Sequence, residues 1–216
     1  MIPKGYGPMF HVEHCIEKFL PKTQKDSAIS KLQFIEKEYF KWNRHINISS
    51  VRDADSFWIK HILDSLCLVQ YICEKGKGKD VFDIGSGGGF PGLVLALFLE
   101  NKIKMFEPIK KKTDFIEHCI LRLKLNNAEV FTQRYQDIQN IQENSLIVSR
   151  ALGNYQEMCK YFIDINPGIE IILMSTKKES EKLKGLTVEL FSDSYNFIND
   201  DLEKPFKNNV LVKVTK

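Results

Sequence analysis

The sequence predicts an α/β fold: a doubly wound, mostly parallel sheet of seven strands with the last strand reversed, preceded by an N-terminal helical extension. Two observations carry this. From residue 80 onward short β-branched and apolar runs alternate with helical patterns, the signature of parallel strands joined by helical crossovers. Before residue 79 the apolar residues recur only at three- and four-residue steps, as on amphipathic helices. The expected division is a helical extension over 1–78, packed on the core, and an α/β domain over 79–216.

Taken in order, Phe10, Ile16, Phe19 and Leu20 mark a first helix over 10–20. Ile29, Leu32, Ile35, Tyr39, Phe40 and Trp42 mark a second over 28–42, and a loop, Ile46-Asn47-Ile48-Ser49-Ser50, follows. Phe57, Trp58, Ile62, Leu66, Val69 and Ile72 mark a third from Asp55 to about Glu74. The polar hinge Lys75-Gly76-Lys77-Gly78-Lys79 leads into the strand Val81–Ile84, a glycine-rich turn and a helix from Pro91 to Leu99. Strands are then expected at Ile103–Glu107, Ala128–Thr132, Ser145–Ser149, Glu170–Met174, Thr187–Phe191 and Val210–Val214. Helices are expected at Ile109–Leu125, Tyr155–Ile165 and 177–184. No helix separates the last two strands, which predicts an antiparallel, hairpin-like pair at one sheet edge. Six parallel strands and one reversed strand resemble the S-adenosylmethionine-dependent methyltransferase fold more than a plain Rossmann domain.

Composition sets limits. The chain has 216 residues, 43% hydrophobic and 27% charged, an ordinary globular balance. No apolar run approaches the roughly 18 residues of a membrane span, and the first 20 residues do not read as a signal peptide. Five cysteines without a paired C-x-x-C spacing read as reduced, small apolar residues rather than as disulfides or zinc ligands. A cytoplasmic, monomeric protein without a bound metal is the expectation. The net charge of +3 is modest, but residues 1–79 carry +4 and residues 80–216 carry −1. That excess suits contact with a phosphate backbone, and equally a solvated helical surface.

Five glycines between 85 and 92 exceed what a tight turn needs and point to a ligand at the backbone. Two fingerprints overlap here. Gly87-Gly88-Gly89-Phe90-Pro91-Gly92 fits the dinucleotide pattern G-x-G-x-x-G, with Glu107 at the distance of a ribose-binding acid. Asp83-Ile84-Gly85-Ser86-Gly87-Gly88-Gly89 fits D-x-G-x-G-x-G, the methyltransferase pattern. Glu107 binds ribose in either reading. Asp83 favours S-adenosylmethionine, because an acid beside a pyrophosphate repels it, whereas the methionine part of this cofactor is cationic. Each acid also has a structural alternative as a strand-end cap.

Further motifs stand in order around the loop. They are Trp42-Asn43-Arg44-His45-Ile46-Asn47-Ile48-Ser49 with Val51-Arg52-Asp53, then Lys60-His61-Ile62-Leu63-Asp64-Ser65-Leu66, and finally Ser149-Arg150-Ala151. Together with the glycine loop they resemble the GidB/RsmG family of bacterial methyltransferases. Those enzymes modify N7 of guanine 527 in 16S ribosomal RNA of the small subunit. The resemblance covers about 40–175. It implies cofactor contacts at Gly85 and Phe90, continuing at Tyr135, Gln136 and Arg150, beside Asp83, Gly87 and Glu107, which the loop pattern already marks. Ser86, Gly88 and Phe90 depart from the family's usual Thr, Pro and Leu, and Lys60 replaces its usual Arg.

No catalytic side chain is expected. Guanine N7 is a lone-pair nucleophile at neutral pH, so rate comes from alignment rather than from a base. The fourth strand ends in Ser149-Arg150-Ala151, without the Asn/Asp-Pro-Pro-Tyr run of exocyclic-amine methylases. Arg150 suits a carboxylate or an RNA phosphate, or a structural ion pair. His61 and Asp64, one turn apart, suit a tie between extension and core, and His45 a surface position. Lys110-Lys111-Lys112 reads as a solvated run or an RNA contact. The rival functions are a small-molecule methyltransferase, an RNA-binding assembly factor that keeps the cofactor without turnover, and a nicotinamide-dependent oxidoreductase.

Overall fold

The computed structural model describes residues 8–18, 20, 22–191, 195, 206 and 208–216. The helical extension consists of α1 (Pro8–Ile16), α2 (Lys22–Ile46) and a helix in three parts. These parts are α3 (Ala54–Phe57), a π-helical segment (Trp58–Leu63) and α4 (Asp64–Lys75). The core follows as β1 (Asp80–Ile84), α5 (Gly92–Phe98), β2 (Ile103–Phe106), α6 (Lys110–Leu123), β3 (Ala128–Phe131) and β4 (Ser145–Arg150). It continues with α7 (Tyr155–Ile165), β5 (Glu170–Thr176), α8 (Lys177–Ser180), β6 (Thr187–Phe191) and β7 (Asn209–Thr215).

The seven strands form one sheet in the order β3-β2-β1-β4-β5-β7-β6. Strands β1 to β5 pair in parallel, and β7 runs antiparallel to both β5 and β6. The predicted six-plus-one arrangement therefore holds. One detail differs: β7 inserts between β5 and β6, so the reversed strand is interior and β6 forms the edge. Burial explains this, because β7 reads Val-Leu-Val with a buried core while β6 is half exposed. The charged pattern over 177–184 yields only one helical turn at α8.

Side chains along each strand alternate between two apolar layers, as period-2 geometry requires. Val81, Leu146, Val148, Ile172, Ile103 and Met105 face the layer holding α1, α2, α4, α5 and α6. Phe82, Ile84, Ile147, Ile171 and Leu173 face the layer holding α7. Phe57 and Trp58 are buried in the first layer, so these aromatics pack the core rather than await a base. Trp42 packs half-buried against Phe115 and His118 of α6. Tyr71 of α4 donates a 2.9 Å hydrogen bond to Glu170, which also takes the Lys79 ammonium at 2.9 Å, so the extension is pinned to the amino-terminal end of the sheet.

Register places the site. Ile84 pairs with Phe106 on one side and Ser149 on the other, so β1, β2 and β4 end level. The strand order reverses between β1 and β4, which opens a crevice at the carboxyl ends of the strands. The helix after β1 must start close to that sheet. A Cβ at Gly92 would lie 2.7 Å from Asp83 Oδ2 and against the Met105 side chain. Its φ is ordinary, so the barrier is steric alone. Gly92→Ala should therefore destabilise the fold by about 1–3 kcal/mol, as overpacking does, measured as a lowered denaturation midpoint with unchanged slope.

Candidate functional site

The loop after β1 turns through residues with positive φ at Gly85 (73°), Gly87 (57°) and Gly89 (83°), a region that L side chains rarely adopt. Its backbone is tied to the neighbouring strand, since the Gly85 and Ser86 N–H groups both donate to the Phe106 carbonyl at 2.9 and 3.1 Å. Ser86 Oγ donates back to the Asp83 carbonyl at 2.8 Å.

Asp83 sits wholly inside, 0% exposed, on the strand face toward α5. Its Oδ2 accepts the Gly92 N–H at 2.9 Å, capping the start of α5, while its Oδ1 has no hydrogen-bond partner among the described residues. Burial raises the carboxyl to about 6, against the opposing Gly92 hydrogen bond and the Arg150 charge. Glu107, 4% exposed, follows β2. Its Oε2 accepts the Gly87 N–H at 3.0 Å and its Oε1 the Ile109 N–H at 3.1 Å. One acid thus holds the helix and the other the glycine loop. Both structural cap readings are met, and each carboxylate retains acceptor capacity.

Phe90, 3% exposed, stacks flat on His61 of the π-helical segment, with ring centroids 4.6 Å apart and planes 2° apart. His61 Nδ1 must accept from Arg150 Nη2 at 2.9 Å, because a guanidinium has only donors. Its Nε2–H then faces Ser49 Oγ at 3.4 Å. Burial, with the Arg150 charge, lowers His61 to about 3, so the ring is neutral. Arg150 Nη1 also bonds the Lys60 carbonyl and Asp64 Oδ2, the latter at 3.2 Å. The π-helical widening permits this: Asp64 N–H reaches the Ile59 and His61 carbonyls, which leaves the Lys60 carbonyl for the arginine. The remaining Asp64 oxygen accepts the Tyr195 hydroxyl at 2.9 Å. The extension and the core are joined at this point by His61 and Asp64, as their helical spacing suggests.

Tyr135 and Gln136 form a 3-10 turn beyond β3, at the same sheet end. The Tyr161 hydroxyl donates to the Gln136 carbonyl at 2.8 Å, and the Tyr135 ring packs on Tyr161 and Phe162, which leaves the Gln136 side chain exposed. Two loop contacts escaped the sequence reading. Ile48, buried within a polar loop, lies where a Cβ at Gly88 would come within 2.6 Å, and Leu152 lies 2.9 Å from such a Cβ at Gly85. A lone buried isoleucine between Asn47 and Ser49 was the available signal. Lys110 pairs with Asp114, and Lys111 is exposed.

Two acids, one with a buried oxygen unpartnered among the described residues, and a glycine loop that lets a ligand approach the backbone suit a ligand with a cationic and a hydroxyl-bearing part. Residues 28–203 match the GidB family, described as rRNA small subunit methyltransferase G. The chain belongs to the GidB family. It is 29% identical over 184 residues to ribosomal RNA small subunit methyltransferase G of Francisella tularensis subsp. novicida (strain U112), covering 82% of this chain and 84% of that one. It is 39% identical over 139 residues to the protein of the same name from Ectopseudomonas mendocina (strain ymp), covering 64% and 62%. Among solved structures, an S-adenosylmethionine-dependent methyltransferase from Aquifex aeolicus superposes with a TM-score of 0.55 at 14% identity, over 78% of this chain and 96% of that one. A dimethyladenosine transferase from Plasmodium falciparum gives 0.50 at 16% identity, over 71% and 60%. At these identities the likeness is one of fold. This GidB-family chain thus has the methyltransferase fold and family expected from its sequence, and S-adenosylmethionine is the cofactor that both imply. No helix among the described residues is long and apolar enough to cross a membrane.

Asp83 titrates against the fold. Its carboxyl is raised from 3.8 to about 6, so its contribution is fully favourable below pH 3.8 and is lost as pH rises through 6. Asp83→Asn keeps an acceptor for the Gly92 N–H and should raise the melting temperature at pH 8 but not at pH 4. His61 has the opposite window. Lowered from 6.5 to about 3, it favours the fold above pH 6.5 and withdraws that support as pH falls toward 3. Replacing it with Asn should flatten the acid arm of a melting-temperature profile between pH 6 and 4.

Proposed function

We propose that this chain transfers a methyl group from S-adenosylmethionine to N7 of guanine 527 in 16S ribosomal RNA. The observation that carries the reading is the match to the rRNA small subunit methyltransferase G family over 28–203, with the paired acids Asp83 and Glu107 at the switch point of the sheet. When bound, the cofactor supplies an electrophilic methyl group on a sulfonium.

In this reading Asp83 faces the cationic methionine part, where its unpartnered Oδ1 supplies an acceptor. Glu107 accepts the ribose hydroxyls, and Gly85 and Gly87 let the backbone come close. Phe90, held flat by His61, forms an apolar wall. Tyr135 and Gln136 border the adenine edge. Arg150 orients the pocket from the end of β4 through its bonds to Lys60, His61 and Asp64. No residue has to remove a proton, because the N7 lone pair is free at neutral pH. The neutral His61, with both ring nitrogens engaged, is a positioning residue rather than a base. The chain's contribution is alignment in the crevice, an effect worth up to about 7–11 kcal/mol in favourable cases, with the two carboxylates offsetting the charge that moves onto the guanine. The helical extension over 1–78 carries the RNA-facing surface, and 79–216 the cofactor. The protein acts in the cytoplasm as a monomer.

The deciding assay is transfer of tritium from labelled S-adenosylmethionine to small ribosomal subunits from cells lacking the enzyme, with mapping of the modified base. Label at N7 of a single guanine is the expected outcome. Cofactor binding without transfer to any RNA would overturn the proposal. Glu107→Gln should weaken cofactor binding about 10- to 100-fold by calorimetry, the range for a hydrogen bond to a charged group.

A further inference from the structure

A cavity of about 800 Å³ opens on the helical extension, outside the glycine loop, in the size range of ligand pockets. Its lining includes Glu36, Phe40, Arg44, Asn47 and Arg52. Its lining residue Asn47 is followed by Ile48, which packs on Gly88 of the glycine loop, and by the Ser49 network. The loop that shapes the cavity is held rigidly. Asn43 donates to the Val51 carbonyl at 2.9 Å and accepts the Ser49 N–H at 3.2 Å, and Tyr39 bonds Ser49 and Val51.

Rim and floor differ in chemistry. Arg44 is exposed and makes no hydrogen bond or ion pair among the described residues. Arg52 turns its guanidinium onto Asn47 Oδ1 at 2.7 Å and the carbonyls of Ser49 and Val51, adding charge beside it. The floor has the half-buried Phe40 ring and the half-buried Glu36, whose carboxyl is raised by burial. Cations at the end of α2 also complement its dipole, which accounts for Arg44 but not for a carboxylate inside the same cavity. Helix α2 lies antiparallel to α6: Phe34 meets His118 and Arg122, whereas Trp42 meets Phe115 and His118. The end of α2 is therefore at the same end of the molecule as Lys110, Lys111 and Lys112.

An unpartnered guanidinium at the rim, an aromatic face and a carboxylate on the floor match the three parts of a nucleotide: phosphate, base plane and base N–H edge. A bare phosphate would have no use for Glu36, which repels it. We propose that this cavity holds a nucleotide of the RNA substrate other than the methylated guanine, with its phosphate on Arg44, its base over Phe40 and its N–H edge donated to Glu36. The inference rests on the reading of the chain as a ribosomal RNA methyltransferase.

Its test uses the full chain with unmodified small ribosomal subunits, reading methyl-transfer kinetics and RNA binding across salt concentrations. Arg44→Ala should raise KM for RNA about tenfold, leave kcat and cofactor binding unchanged, and reduce the salt slope of binding by about one. Glu36→Gln should weaken RNA binding about threefold or more without changing that slope, as a base contact does. A merely solvated surface predicts the opposite sign, since losing a negative charge strengthens RNA binding. Lys160→Ala, which removes one charge from α7 on the other sheet face, should change nothing. If Glu36→Gln melts early, Arg44→Glu on an exposed side chain decides instead, with a larger rise in KM than Arg44→Ala. The inference is overturned if the Arg44 variants stay within twofold of the unsubstituted protein, or if a folded Glu36→Gln binds RNA as well or better. Failure of the unsubstituted protein to bind or methylate RNA overturns the proposed function itself.

Discussion

Arg150 ends β4 and joins two parts of the molecule that share no strand. Its guanidinium holds the Lys60 carbonyl, His61 and Asp64, all from the helix before β1. A half-buried arginine of this kind is stable only when its donors meet acceptors, and the π-helical segment provides one by releasing a main-chain carbonyl. With that bond in place, His61 is fixed as an acceptor at Nδ1, its ring lies flat on Phe90, and the glycine loop gains a rigid wall. The order of dependence runs from the ion pair to the ring and from the ring to the loop.

The helical extension is therefore part of the crevice and not a separate cover. Ile48 occupies the space beside Gly88, and Asn43, Tyr39 and Ser49 hold the segment that carries it. Ile48 is thus a direct contact between the helical extension and the glycine loop. A shift of α2 or of the loop after it would be felt at the glycine backbone, because packed interiors do not deform smoothly.

The acids at the site serve two purposes at once. Asp83 and Glu107 each hold a backbone N–H that organises the loop or the helix behind it. Each also keeps further acceptor capacity for a ligand. Asp83 remains in an environment that opposes its ionisation, a departure from the stability optimum of the kind that functional sites tolerate. Glu107 is positioned by the loop that it positions, so the ribose-facing reading of this acid and its role as a cap are one arrangement.

Periodicity and punctuation in the chain determined the sheet, its single reversed strand, the helical extension and the glycine loop flanked by two acids. These features depend on local pattern and on the alternation of strands and helices, which sequence expresses directly. The family was legible for the same reason, since Asp83, the glycines and Ser149-Arg150-Ala151 are contiguous motifs. Only the tertiary structure decided that β7 inserts inside the sheet, that Arg150 turns inward to His61 and Asp64, and that Ile48 and Leu152 press on the glycines. It also set the cavity of Arg44 and Glu36. Each of these joins residues from distant segments through side-chain packing and charge pairing. Such pairings follow from how layers meet in space, and no local pattern records which partner a buried side chain will find.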